Sequence, residues 1–275
     1  MKIHAIETGK VKVKEEQRVR ESGGIFKVLT SKNWSPWLPI FAWVIEHDEG
    51  LIVVDTGETS NTSASWYFPA WHPYFRYAVA FKVEPEDEIG PQMYKRGLNP
   101  NDVKQVVMTH LHTDHAGGMG HFPGAMFHVA APELAATQGF AGKLAGYVAQ
   151  HWPPGINWRE IEFNGGALGP FSSSFAVTQK GDVRVVETPG HSPGHVSVVV
   201  DDGDVSFLLA GDTSYTQETL QRLQPDGVMP KPEVGVDTMK KILALGRERP
   251  LVYLPSHDPD CERRLAEREP LPTQG

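Results

Sequence analysis

His110-Leu111-His112-Thr113-Asp114-His115 sets four metal-binding side chains within six residues, directly after the apolar run Val106-Val107-Met108 and before Ala116-Gly117-Gly118. Neutral imidazole nitrogens and carboxylate oxygens are the ligands that suit zinc, iron and manganese. With 12 His and 14 Asp in 275 residues, a His-x-His-x-Asp-His string arises by chance about once in a thousand such chains, so coincidence is a weak reading. Two histidines one residue apart, on a loop leaving a strand, can ligate one ion. Asp114 and His115, at the start of a helix, can then turn to a second. This differs from a His-Glu-x-x-His helix, where four-residue spacing puts both ligands on one helical face.

Around this stretch, short β-branched runs bounded by Gly, Pro, Asp and Asn read as strands: Phe41–Ile45, Leu51–Val54, Val103–Met108, Val183–Val186, Val196–Val200, Val205–Ala210 and Leu251–Leu254. The turn cluster Asp201-Asp202-Gly203-Asp204 between two of them reads as a hairpin. Helical pattern is clearest at Pro132–Gln138, around Phe140–Gln150 and at Val236–Arg247. Strands with interspersed helices indicate an α/β arrangement with packed sheets. A weak internal echo links Leu51 to Thr56 with Phe207 to Thr213, each an apolar strand ending in Asp-Thr; about 50 residues on, each is followed by a strand ending in His110 or His257. Two such halves would share one site at their edge.

Composition bounds the function. At 40% hydrophobic and 22% charged, the chain has the make-up of a soluble globular protein long enough to bury a large core. A net charge of −8 and no Lys/Arg run argue against a nucleic-acid partner. The basic stretch Lys10 to Arg20 alternates with Glu15 and Glu16 and reads as a solvated strand or loop; Glu84–Glu88 reads as a solvated acidic face. The single Cys261 excludes an intrachain disulfide and an all-thiolate metal site, and reads as inert. No 18-residue apolar span and no secretion signal are present, so no membrane partner and, by default, a cytoplasmic location are expected.

Residues 61 to 97 break the pattern: Trp66, Tyr67, Phe68, Trp71, Tyr74, Phe75, Tyr77 and Phe81 crowd together while Pro69 and Pro73 interrupt any regular helix. This aromatic-rich insertion would cover a site, bind an apolar ligand, bury itself against another subunit as a homodimer contact, or pack on its own domain.

Three further positions would complete two cation sites. His191 lies between Pro and Gly turns in Thr188-Pro189-Gly190-His191-Ser192-Pro193-Gly194-His195. Asp212 in Gly211-Asp212-Thr213 stands at a strand end, where its two oxygens could bridge two cations, and Ser256-His257-Asp258 ends the last strand. In this order, His110, His112, Asp114, His115, His191, Asp212 and His257 resemble the metallo-β-lactamase superfamily, from Asp55-Thr56-Gly57 onward. Within it the chain resembles the N-acyl-homoserine lactonase group, where a tyrosine follows the bridging aspartate by three residues; Tyr215 stands there.

The resemblance implies a single domain over residues 1–275, an αβ/βα four-layer sandwich of two packed mixed β-sheets flanked by helices. It also implies two zinc ions, other divalent metals such as Fe, Mn or Co being alternatives. One zinc takes His110, His112 and His191, the other takes Asp114, His115 and His257, and Asp212 bridges. A hydroxide between the zincs would attack the lactone carbonyl, Tyr215 would donate to the developing oxyanion, and Asp114 would pass a proton to the leaving alkoxide. Asp55 and His195 read as residues that orient ligand loops; His4, His47, His72, His121, His128 and His151 read as surface or packed histidines.

Several relatives fit less well. The antibiotic-hydrolysing enzymes lack the bridging aspartate, flavo-diiron proteins carry glutamate in place of His112, and the 18 residues after His257 are too few for the helical domain of glyoxalase II. Hydrolysis of another lactone, an ester or a phosphotriester is the nearest alternative, and an iron-dependent oxidoreductase or dioxygenase the next. One departure stands out: many homoserine lactonases carry an aromatic residue where Thr113 stands.

Overall fold

The computed structural model describes residues 1–272. Twelve strands run β1 (Lys2–Val13), β2 (Leu38–His47), β3 (Gly50–Val54), β4 (Val79–Lys82), β5 (Val103–Val107), β6 (Met126–Val129), β7 (Asn157–Glu160), β8 (Phe175–Ala176), β9 (Val183–Glu187), β10 (Val196–Asp202), β11 (Val205–Gly211) and β12 (Leu251–Pro255). They form a seven-stranded sheet, β4-β1-β2-β3-β5-β6-β7, and a five-stranded one, β12-β11-β10-β9-β8. Both are mixed: β3-β5-β6-β7 and β11-β12 are parallel and the remaining pairs antiparallel.

The period of two along each strand explains the layers. Phe41, Trp43, Ile45, Ile52, Val54 and Val107 from the larger sheet meet Val196, Val198, Val200, Phe207, Leu209, Val252 and Leu254 from the smaller one in a central core. The alternate residues Ala42, Val44, Val53 and Val106 face outward against Ile89 and Met93 of the helix Ile89–Lys95. On the far side Val199, Leu208, Ala210 and Tyr253 pack on Met239, Ile242 and Leu245 of the helix Pro232–Glu248. The central strands β2, β10 and β11 are apolar on both faces because each sheet has a layer on both sides. This is the helix–sheet–sheet–helix sandwich expected.

All seven strand readings fall on strands. The β10–β11 hairpin pairs Asp202 with Val205 around Gly203, whose φ of 71° suits the tight turn. The reading around Phe140–Gln150 shortens: the helix spans Gly139–Leu144 and stops before Gly146, which has a φ of 98°. Two polar stretches are less solvated than expected, although the first is a strand as read. Lys10 to Val13 belong to β1, the buried Lys14 ammonium sits 3.7 Å over the Trp34 ring, and Glu16 and Gln17 are buried on the helix Glu15–Arg18. Glu88 is not part of a solvated face. It accepts the Ser60 N–H at 2.8 Å and lies 2.7 Å from His121 Nε2, tying the start of the helix Ile89–Lys95 to residues on either side of the 61–97 segment. Among the described residues no helix is long and apolar enough to cross a membrane.

Candidate metal centre

Every candidate ligand follows the C-terminal end of a strand, at one edge of the two sheets. His110 and His112 leave β5, and Asp114 and His115 lie on the helical turn Thr113–Ala116. His191 follows β9, Asp212 follows β11 and His257 follows β12. Thus β3 and β5, which pair in parallel, lead into Asp55 and His110, while parallel β11 and β12 lead into Asp212 and His257.

The structure brings all seven groups together. His110, His112 and His191 form one cluster, Asp114, His115 and His257 another, and His110, His115 and Asp212 a third, with the donor atoms in each within 4.8 Å of one another. His112 Nδ1 lies 3.0 Å from His191 Nε2. Asp212 spans the middle: its Oδ1 is 3.2 Å from His115 Nε2, and its Oδ2 is 3.6 Å from His191 Nε2 and 3.4 Å from His257 Nε2. His257 Nε2 is also 3.5 Å from Asp114 Oδ2.

Four of the five rings are oriented from behind. His115 Nδ1 faces Asp55 Oδ2 at 2.8 Å, His191 Nδ1 faces Asp226 Oδ2 at 2.7 Å, His257 Nδ1 faces the Pro39 carbonyl at 2.9 Å, and His110 Nδ1 faces Thr109 Oγ1 at 3.1 Å. A ring whose Nδ1 carries the proton presents a bare Nε2 to the centre. His110 Nε2, His115 Nε2 and Asp212 Oδ1 are buried and have no hydrogen-bond partner among the described residues. Orphaned buried donors and acceptors are costly, and a divalent cation bound by nitrogen and oxygen would satisfy all three. The donor set therefore fits metal.

Electrostatics divide the imidazoles. Burial, reinforced by neighbouring rings, holds His110 and His112 well below the usual histidine range, so both are neutral ligands-in-waiting. Burial also opposes charge on His115 and His191, but carboxylates outweigh it: Asp212 and Asp55 raise His115, and Asp226 raises His191 to about 9. His195 is pushed down to about 3, mainly by burial; its Nε2 accepts the Asp212 backbone N–H at 2.9 Å and its Nδ1 meets Thr188 Oγ1. Asp55, with a positive φ of 59°, also accepts the Thr109 N–H and hydroxyl at 2.7 Å each. Both residues sit behind the ligands and hold ligand-bearing backbone.

A cavity of about 560 Å³ opens onto His112, Asp114, His191, Asp212 and His257. Tyr215 forms part of its wall and stacks on His257, with centroids 5.7 Å apart; burial raises its phenol far enough to keep its proton. The rest is largely apolar, with Val11, Val13, Ile25, Leu29, Phe75, Phe81 and Leu144 contributing. The inserted segment thus lines the cavity while packing on its own core: Phe68 stacks on Phe75 and Phe81, and Tyr67 is buried with its hydroxyl 3.1 Å from Thr113 Oγ1. Tyr67 brings an aromatic ring to Thr113 from elsewhere in the chain. Trp66, Trp71 and Tyr77 remain exposed.

Three residues, Asp226, Glu133 and Gln17, escaped the sequence reading. Asp226 sits in Pro225-Asp226-Gly227, which signals only a turn. Glu133, fully buried, accepts the Leu111 N–H, the Tyr147 hydroxyl, the Ser192 hydroxyl and the Gly194 N–H, joining the two ligand loops. Gln17 donates to Tyr215 and to Tyr74 of the aromatic insertion, both on the cavity wall. His72, read as surface or packed, is buried in that wall as well. Cys261 is buried, its thiol turned to the Pro255 carbonyl.

Comparison with known proteins places this geometry among relatives. The family model described as "Metallo-beta-lactamase superfamily" matches residues 35–257. An N-acyl homoserine lactonase of Bacillus thuringiensis is 29% identical over 229 residues, covering 82% of this chain and 84% of that one. An N-acyl homoserine lactonase of Agrobacterium fabrum is 29% identical over 230 residues, covering 82% and 83%. A solved N-acyl homoserine lactone hydrolase, with N-hexanoyl-L-homoserine bound at its catalytic metal centre, superposes with a TM-score of 0.74 at 24% identity over 95% and 94% of the two chains.

Proposed function

This chain belongs to the metallo-β-lactamase superfamily, and from that premise we propose that it is a dinuclear zinc hydrolase that opens the lactone ring of N-acyl-homoserine lactones. The observation that carries the reading is the junction of two features: seven ligand-type side chains converge at the floor of a cavity whose remaining wall is apolar. A small polar head would reach the ligands while an acyl chain lies along Phe75, Phe81 and Leu144. The lactonases that share 29% identity with the chain support the same substrate class.

His110, His112 and His191 would hold one zinc, Asp114, His115 and His257 the other, with Asp212 between them. Bound there, such a pair supplies Lewis acidity and a water acidic enough to serve as nucleophile near neutral pH. Tyr215, still protonated, donates its hydroxyl to the carbonyl oxygen as charge develops; a preorganised donor of this kind lowers the barrier by about 2.7–4 kcal/mol. Asp114, the partly exposed carboxylate of the set, passes a proton to the departing alkoxide. The chain acts as a single domain, and the exposed Trp66, Trp71 and Tyr77 support a homodimer contact through the insertion.

A pH-indicator hydrolysis screen tests the proposal, setting N-acyl-homoserine lactones of graded chain length against a thioester, a β-lactam and a phosphotriester. The lactones should be turned over fastest, two zincs per chain should be found by elemental analysis, and Asp114→Asn should abolish turnover. A phosphotriester rate far above every lactone overturns the substrate assignment.

A further inference from the structure

The Gln17 side chain is fixed relative to the ligand cluster by backbone contacts. The Gln17 backbone carbonyl accepts the Gly227 N–H at 2.8 Å, and the Arg20 backbone N–H donates to the Pro225 carbonyl at 2.8 Å. The approach is close: a Cβ on Gly227 would collide with the Glu16 carbonyl oxygen. The same Pro225-Asp226-Gly227 turn holds His191 through Asp226. One turn therefore registers both a candidate metal ligand and Gln17.

Gln17 Nε2 donates to Tyr74 Oη and to Tyr215 Oη, at 2.8 Å each. A planar amide carries two N–H donors about 120° apart, so both are used and the two phenolic oxygens are held roughly 5 Å apart. With the amide this way round, one buried acceptor, Oε1, goes unmet. The reverse would strand two N–H donors, the costlier arrangement. Each phenol thus accepts from Gln17 and keeps its own proton free, and among the described residues neither proton has an acceptor. Both rings line the cavity beside the candidate ligands.

We propose that Gln17 is a positioning residue that presents Tyr215 and Tyr74 as a pair of hydrogen-bond donors, and that the pair selects lactones bearing a second carbonyl. This rests on the lactonase reading and deepens it. Tyr215 takes the ring carbonyl and Tyr74 takes the carbonyl of an amide on the adjacent carbon. In an N-acylated amino lactone one carbon and one nitrogen separate the two carbonyl carbons, so both oxygens fall within the span of the two phenols. A plain alkyl lactone offers only the first.

The test compares N-hexanoyl-homoserine lactone with a γ-butyrolactone carrying an alkyl chain and no amide, using the zinc-loaded full chain. Tyr74→Phe should lower kcat/KM about tenfold on the amide-bearing lactone and leave the alkyl lactone within about twofold, the latter reporting that the variant is folded. Tyr215→Phe should depress both. Gln17→Glu keeps the shape but accepts both phenolic protons. It should depress both substrates at least as much as Tyr215→Phe, chiefly in kcat, with cation content unchanged. Were Gln17 only a packing element, this substitution would keep wild-type rates, and that result overturns the proposal. Tyr74→Phe acting equally on both lactones, or on neither, also overturns it while leaving the lactonase reading intact. Failure of the unaltered protein to open either lactone overturns both.

Discussion

Replacing Asp226 by Asn should weaken one of the two proposed cation sites without touching a proposed ligand. Asp226 Oδ1 accepts the backbone N–H groups of Val228 and Met229 at 2.9 and 2.6 Å, and Oδ2 lies 2.7 Å from His191 Nδ1. Asn keeps the shape but exchanges one oxygen for an N–H₂ group. If its oxygen keeps the two backbone bonds, its nitrogen faces Nδ1, and His191 must move its proton to Nε2. A protonated Nε2 cannot ligate. If the amide turns over instead, its donors point at the Val228 and Met229 N–H groups. Either arrangement leaves one or two buried donors unmet, at about 1–3 kcal/mol. That corresponds to roughly a 10–100-fold loss in cation affinity, the usual scale for residues behind a ligating histidine. Competition for zinc with a chromophoric chelator measures it, and circular dichroism verifies the fold. One zinc should leave more easily and the other should not. Both zincs held within about twofold of the unaltered protein would refute the tautomer reasoning.

Glu133→Gln puts an N–H₂ group where hydroxyl and N–H donors now converge on a carboxylate. It should cost about 2–4 kcal/mol in urea unfolding, and a loss under about 1 kcal/mol would mean the ligand loops hold themselves. Burial opposes ionisation of Glu88, but hydrogen bonds from His121 and Ser60 prevail and hold its carboxyl at about 2, against 4.5 in the unfolded chain. The stability it lends is present above pH about 4.5 and is lost as the pH falls toward 2. The gap in urea midpoint between Glu88→Gln and the unaltered protein should shrink over that window; a pH-independent gap contradicts it. Stripping the cations should lower the thermal midpoint by at least about 5 °C, because a ligand bound only by the folded state at a thousandfold excess adds about 4 kcal/mol. An unchanged midpoint in strong chelator would argue against a loaded centre.

The candidate ligands were legible because metal binding draws on few side-chain types and clusters them at strand ends, as His110 to His115 show. The central strands were legible because Val, Ile, Leu and Phe fill both faces of β2, β10 and β11. β1 was not. Its pairing shifts between Glu7 and Lys10 around Gly9, with a φ of 108°, so no single period of two runs through it, and charged residues occupy its open positions. β6, β7 and β8 are two to four residues long, too short for a pattern. Asp226, Glu133 and Gln17 acquire their roles by tertiary approach. His191 is 35 residues from Asp226, and Tyr215 is 198 from Gln17, so neither pairing leaves a local trace.

His110, His112, Asp114 and His115 hang from the larger sheet, whereas His191, Asp212 and His257 hang from the smaller one. Ions gripped by both would act as rivets across the hydrophobic seam, and linkage makes the effect reciprocal: whatever loosens the seam loosens the rivets. A supply of the ion would therefore underwrite sequence drift. Were the centre loaded, substitutions in the seam that are tolerable in a metal-replete cell would destabilise the fold under starvation, so the spread of sequences open to such a protein would depend on its metal supply.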